Sequence, residues 1–115
     1  MKEVIAIVRP NCSVKTREKL AEIGVYGFTG RSVNGKGKES VDIQHSESVI
    51  GKSKMVPKRM IMTVVEDEDV DRVVQAIIDV NASGNKGDGK IFVNPVLRTY
   101  TIRNGECSES LQDIK

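Results

Sequence analysis

At 115 residues and a net charge of +2, the chain has room for one domain with a buried core. It carries no overall charge that would draw it to nucleic acid or an acidic membrane. Two Phe, two Tyr and no Trp leave that core to Val, Ile, Leu and Met. Cys12 and Cys107 make neither a disulfide framework nor a metal-ligand spacing, and no signal peptide is visible. Apolar runs of about five residues fall far short of the ~20 needed for a membrane span, so a cytoplasmic protein with reduced thiols is expected.

Residues 2–9 read as a buried strand, Val4-Ile5-Ala6-Ile7-Val8, closed by Arg9-Pro10. A helix is predicted from about Ser13 to Ile23, with Ser13 as N-cap and Gly24 as the stop. Its inward positions are expected at Val14, Leu20, Ala21 and Ile23. A second, less cleanly patterned strand spans Val25 to Val33. From Asn34 to about Met55 no period is sustained, and a stretch of ~20 residues without one is uncommon in a compact domain unless it serves a function. Between Asn34 and Arg59 there are six Lys or Arg against three Asp or Glu, so the basic character of the chain is concentrated there. Such a segment is either a solvated loop or an element that docks on an acidic or phosphate-bearing surface.

A third strand is expected over Met60–Val65, led in by Pro57-Lys58-Arg59. Asp67 or Asp69 is placed as the cap of a second helix, whose apolar positions Val70, Val73, Val74, Ile77 and Ile78 follow helical spacing. Ser83-Gly84 ends it, and Ile91-Phe92-Val93 begins a fourth strand that Pro95 closes. Thr99–Ile102 suggests a short further strand, Arg103-Asn104-Gly105 a turn, and the polar tail from Glu106 is expected to fray. The order β-α-β, long loop, β-α-β is a doubled split unit. It predicts an α+β, ferredoxin-like domain over residues 1–115, with two helices on one face of a four-stranded antiparallel sheet. The other face is left bare with aliphatic residues on it, which a dimer or trimer would cover.

Between the second helix and the fourth strand runs Ser83-Gly84-Asn85-Lys86-Gly87-Asp88-Gly89-Lys90. Glycines here let the backbone approach a ligand closely, successive amides can form an anion nest, and a lysine adds a point charge. A flexible connector would look similar. The fold, however, brings a second glycine-lysine stretch, Gly35-Lys36-Gly37-Lys38, into play, with Arg98 and Arg103 as further cations. Phosphate binding is therefore the favoured chemistry. Acid–base catalysis finds little support: His45 stands alone in the polar loop, neither cysteine has a readable activating partner, and the acidic run Asp67-Glu68-Asp69 is explained by the helix dipole. Four aromatics without a basic-aromatic motif argue against nucleic acid.

The run Ser83-x-x-x-Gly87-Asp88-Gly89-Lys90-Ile91-Phe92-Val93 resembles the C-terminal signature of the PII nitrogen-regulatory family. Arg9-Pro10, Gly24-Val25, Gly27-Phe28-Thr29, Gly35-x-Gly37, Pro57-Lys58 and Ile102-Arg103-x-Gly105-Glu106 extend the similarity over nearly the whole chain. The resemblance implies a homotrimer with nucleotide sites between subunits. It also implies a long loop, here about 36–55, that responds to ATP, ADP and 2-oxoglutarate and docks on a target protein. Carried over by position, Gly87, Asp88, Gly89, Lys90 and Arg103 match phosphate-binding elements, and Lys38 replaces an arginine there. Ile7, Gly27, Phe28, Thr29, Gly35, Gly37 and Val64 match positions around the nucleotide. Lys58 matches the lysine that meets 2-oxoglutarate, with Glu39, Ser40 and Val41 beside it, and Glu39 stands where a glutamine helps hold Mg²⁺.

The chain also departs from the pattern. Glu39 could ligate the metal, but its charge opposes a dianionic oxoacid, and Lys38 lacks the arginine fork. Thr101 stands for a second C-terminal arginine, and Met62 for a glutamate that would pair with Lys90. The absence of Tyr between Gly27 and Val93 excludes control by tyrosine uridylylation, and Ser46, Ser48 and Ser53 are unremarkable loop serines. The Ile-Val-Arg-Pro-Asn opening and Pro57-Lys58-Arg59-Met60 look most like the branch associated with nitrogenase control, which implies nitrogenase as target and a paralogous PII protein as a further partner. An ammonium transporter or a biosynthetic enzyme is the ordinary family alternative. Two other classes fit less well: a small enzyme acting on phosphorylated metabolites, and an interaction or metal module built on His45 and the cysteines.

Overall fold

Alternation along the first strand decides which way the sheet faces. In β1 (Lys2–Val8) the side chains of Val4, Ala6 and Val8 are buried, while Ile5 and Ile7 point the other way and are half-buried. The computed structural model describes residues 1–36 and 55–111. After β1 come a 3-10 turn (Pro10–Cys12), α1 (Ser13–Glu22), β2 (Phe28–Gly35), β3 (Val56–Val65), a second 3-10 turn (Asp67–Asp69) and α2 (Val70–Asn81). Then follow β4 (Gly89–Pro95), β5 (Thr99–Tyr100) and β6 (Cys107–Ser108).

The main sheet has the order β2-β3-β1-β4 with every pairing antiparallel. This is the ferredoxin-like arrangement expected from the order of elements. β1 is central: Ile5 faces Met62 on one side and Phe92 on the other, and Ile7 faces Met60 and Lys90. Both helices lie on one face, where Leu20 of α1 and Val73 and Ile77 of α2 close on Val4, Ala6, Val8, Ile61 and Val65. Among the described residues no helix lies over the opposite face, which carries Ile5, Ile7, Met60, Met62, Val64 and Phe92, the last 48% exposed.

The helix interface includes a buried polar chain. The Thr16 hydroxyl donates to the Cys12 carbonyl at 2.7 Å, and the Asn81 amide donates to Thr16 Oγ1 at 3.0 Å and to the Ile77 carbonyl at 2.8 Å. Each bond satisfies a group that would be costly to bury alone. At the far end of β1, Asp67 receives the N-terminal ammonium at 3.1 Å and Lys2 Nζ at 3.0 Å. The Lys2 hydrogen bond, followed by that of the N-terminus, lowers the Asp67 pKa.

Several local expectations are corrected. Ser13 is the first residue of α1 and buried, with Cys12 in the cap position, because Pro10–Cys12 already turns the chain. Val14 is 54% exposed; Ser13 and Thr16 face the core beside Leu20, which is buried as expected. Residues 25–27 precede β2, which starts at Phe28, and β3 begins at Val56, ahead of the expected Met60. Asp69 occupies the cap position of α2, but its carboxylate pairs with Arg72 at 3.2 Å and makes no cap bond. Ile78 is 41% exposed, and Ala76 is buried in its stead. The tail does not fray at Glu106: Cys107 and Ser108 pair with Tyr100 and Thr99, and Leu111 bonds to Glu66.

The reassignment of α1 is testable by equilibrium denaturation at one fixed protein concentration. Leu20→Ala should cost about 2–5 kcal/mol, the range for truncating a fully buried leucine. Val14→Ala should change stability by less than about 0.5 kcal/mol. Comparable losses for the two would contradict the helix orientation.

Candidate functional site

The glycine-rich connection leaves α2 at Asn81 and reaches β4 within eight residues, and three of its glycines adopt positive φ: Gly84 (82°), Gly87 (90°) and Gly89 (122°). At Gly89 the constraint is absolute, since a Cβ would lie 2.1 Å from the Ile7 carbonyl oxygen. That closeness lets β4 start in register with β1, Gly89 opposite Val8 and Lys90 opposite Ile7.

Asp88 folds the loop back on itself. Its carboxylate accepts the Ser83 amide at 2.6 Å, the Ser83 hydroxyl at 2.5 Å and the Gly84 amide at 3.1 Å. Arg9, the residue after β1, braces the loop from the other side. Its guanidinium donates to the Gly87 carbonyl at 3.1 Å and the Lys86 carbonyl at 3.0 Å, and meets Asp88 Oδ1 at 2.9 Å. Lys58 Nζ donates to the same Gly87 carbonyl at 2.9 Å. The Ser83 hydroxyl and amide bonds hold the Asp88 carboxyl below its ordinary 3.8, with Arg9 and the Gly84 amide adding to the effect.

Around this loop opens a cavity of about 1140 Å³, lined by Ile7, Gly35, Gly87 and Phe92 among others. Among the described residues five cationic side chains line it, Arg9, Lys36, Lys58, Lys86 and Lys90, against a single carboxylate, Asp88. Such a lining attracts anions and suits a polyphosphate or polycarboxylate. It is a poor metal site as described: the Asp88 oxygens are committed to Ser83, Gly84 and Arg9, and no cluster of three potential metal ligands occurs among the described residues.

A second cavity, about 620 Å³, lies at the start of β2 and the end of β3. Gly27, Phe28, Thr29, Met62 and Val64 line it, with Tyr26, Glu66, Asp69, Arg72 and Leu111. Here Thr63 of β3 donates its hydroxyl to the Gly27 carbonyl at 2.6 Å and so fixes the entry to β2. From Lys58, in the first cavity, to Val64, in the second, β3 runs six residues, roughly 20 Å at strand rise.

The sequence-selected residues thus separate into two groups. Ile7, Gly35, Lys58, Gly87, Asp88, Gly89 and Lys90 converge on the cationic cavity, whereas Gly27, Phe28, Thr29 and Val64 converge on the other. Met62 and Lys90 line different cavities, so the glutamate that Met62 replaces would not pair with Lys90 inside one chain. Arg103 lies in the turn after β5 and lines neither cavity. Gly37, Lys38, Glu39, Ser40 and Val41, together with His45, fall outside the described residues. Sequence reading passed over Arg9 as a loop brace; its place directly after a strand that pairs with the glycine loop is the signal that could have shown it. Glu66 and Leu111 carried no comparable signal.

The Asp88 geometry sets a pH dependence. A lowered carboxyl pKa stabilises the fold above the ordinary value of 3.8, and that contribution is lost as pH falls through the lower folded value. Asp88→Asn should therefore reduce stability at neutral pH, and should lose less than the native chain between about pH 5 and pH 2 in acid-denaturation curves. Parallel curves would remove Asp88 as the loop's anchor. Gly89→Ala should destabilise the chain more than Gly84→Ala in the same assay, because only the former meets backbone.

Comparison with known proteins gives the family. The family model described as nitrogen regulatory protein P-II matches residues 1–106. The nitrogen fixation nifHD region GlnB-like protein 2 of Methanothermobacter marburgensis is 44% identical over 115 residues, covering 92% of this chain and 95% of the relative. The nifHD2 region GlnB-like protein 1 of Methanosarcina barkeri is 42% identical over 110 residues, covering 92% and 97%. Among solved structures, Arabidopsis thaliana PII bound to citrate superposes with a TM-score of 0.74 at 33% identity, covering 94% of this chain and 85% of that one. The chain belongs to the nitrogen regulatory protein P-II family, on the side of its relatives named for the nitrogen-fixation region.

Proposed function

We propose that this chain is a non-enzymatic sensor of nitrogen and energy status that binds ATP or ADP between the subunits of a homotrimer. The observation that carries this reading is the separation of the site residues into two cavities at opposite ends of β3. A nucleotide has an anionic end and an uncharged heterocyclic end. The cationic cavity around Gly87–Lys90 suits the phosphates, and the cavity at Gly27–Thr29 and Val64 suits the base. One copy supplies the first half of a site and its neighbour the second. The sheet face with Ile5, Ile7, Met60, Met62 and Phe92, opposite the two described helices, gives the copies an apolar surface on which to associate. Arg103, in its turn beyond the sheet, reaches the phosphates in the assembled trimer.

Lys58 and the cations around it also suit a small polycarboxylate, in keeping with the citrate of the plant relative, and 2-oxoglutarate is the natural candidate. Lys58 would then divide its ammonium between the acid and the Gly87 carbonyl. Mg²⁺, which neutralises adjacent phosphate charges when bound, would rely on Glu39, since the carboxylate lining the cavity is already committed. The segment 36–55, leaving β2 beside the cationic cavity, carries the signal to a target. The names of the archaeal relatives favour nitrogenase, with a paralogous PII protein as an additional partner. The protein acts in the cytoplasm; among the described residues no helix is long and apolar enough to cross a membrane.

Titration calorimetry with MgATP and with ADP, each with and without 2-oxoglutarate, tests the reading. Binding of at least one nucleotide is expected, and no binding of either up to about millimolar concentration, an affinity near −4 kcal/mol, would sink it. Lys90→Ala should weaken nucleotide binding by about tenfold, the loss of one charge-assisted contact, with the oligomer unchanged in size on gel filtration. Wild-type affinity in that variant would remove Lys90 from the site.

A further inference from the structure

The end of the described chain has a defined place. Ser108 is held by pairing of β6 with β5, and its hydroxyl accepts the Ser110 amide at 3.1 Å. Glu66 Oε1 then accepts both the Ser110 hydroxyl at 3.1 Å and the Leu111 amide at 2.6 Å. These bonds set Leu111 into the lining of the 620 Å³ cavity, beside Gly27, Phe28, Thr29 and Val64.

The electrostatics of that cavity say which part of a ligand it takes. Among the described residues its charged lining is Glu66, Asp69 and Arg72. The Arg72 guanidinium is already engaged, donating to the Ile23 carbonyl at 2.5 Å and to Asp69 at 3.2 Å. What remains is net acidic with apolar walls, which repels phosphate and accepts an uncharged ring. Leu111 is an aliphatic surface on which such a ring can lie.

We infer that Leu111 is a wall of the nucleoside subsite and that Glu66 is its positioning residue, holding the C-terminal segment against the cavity through the Leu111 amide. The inference rests on the nucleotide reading above and adds to it a specific role for the chain after β6. Docking of the tail and binding of the nucleoside are then coupled, and each favours the other by the same factor.

The test compares ADP with inorganic triphosphate, which has no base, by titration calorimetry on the full chain. Leu111→Gly and Glu66→Ala should each weaken ADP by about five- to tenfold, as expected for losing part of one aliphatic contact. Triphosphate affinity should be unaltered in both. Glu66→Gln keeps an acceptor oxygen and should bind ADP like the native chain. Equal ADP affinity in the native chain and Leu111→Gly overturns the inference, as does an equal loss for ADP and triphosphate, which would signal general damage. Absence of any nucleotide binding by the native chain instead overturns the parent reading, and this inference with it. Should Glu66→Ala fail to fold, Leu111→Gly alone decides.

Discussion

The close approach of Gly89 to the Ile7 carbonyl governs how the two halves of the molecule meet. Because no Cβ stands at 89, β4 can enter the sheet directly beside the end of β1, and the glycine loop is delivered to the sheet edge with Arg9 within reach. Arg9 then ties together the Lys86 and Gly87 carbonyls and the Asp88 carboxylate, while Asp88 ties itself to Ser83 and Gly84. A loop rich in glycine would otherwise lose much conformational entropy on binding a ligand. Here the bracing is part of the fold, so a ligand bound at this loop would meet it already ordered.

The same register that buries Val4, Ala6 and Val8 under the helices turns Ile5 and Ile7 to the other side. Core formation and exposure of the second apolar face are thus two faces of one pleat, and neither can be altered without the other. The site inherits this arrangement. Its cationic part sits where β1 ends and β4 begins, its less charged part where β2 begins and β3 ends, and the length of β3 keeps them apart within a chain. A ligand with two chemically different ends suits such a division.

Much of this was legible in advance because periodicity reports backbone geometry. The β1 run, the Val70–Ile77 spacing and the glycines at 84, 87 and 89 each announce a local conformation, and their order allows few topologies. The errors have local causes too. Val14 looks like a core residue by hydropathy, but the Pro10–Cys12 turn rotates α1 so that small polar side chains, Ser13 and Thr16, face inward. Asp69 looks like a cap, but an arginine one turn later competes for its carboxylate. The tail looks frayed because nothing in its own residues points to Glu66, which lies over forty positions earlier in the chain.

The sequence by itself determined the elements, their order, the family and the residue types of an anion site, since these depend on local backbone preference and on side-chain chemistry. Only the tertiary structure decided which of those residues share a cavity, that Arg9 and Lys58 converge on one carbonyl, and that Leu111 and Gly27 line the same cavity. Such contacts join positions far apart along the chain. They are set by sheet register and by helix rotation, quantities that emerge only when the elements pack against one another.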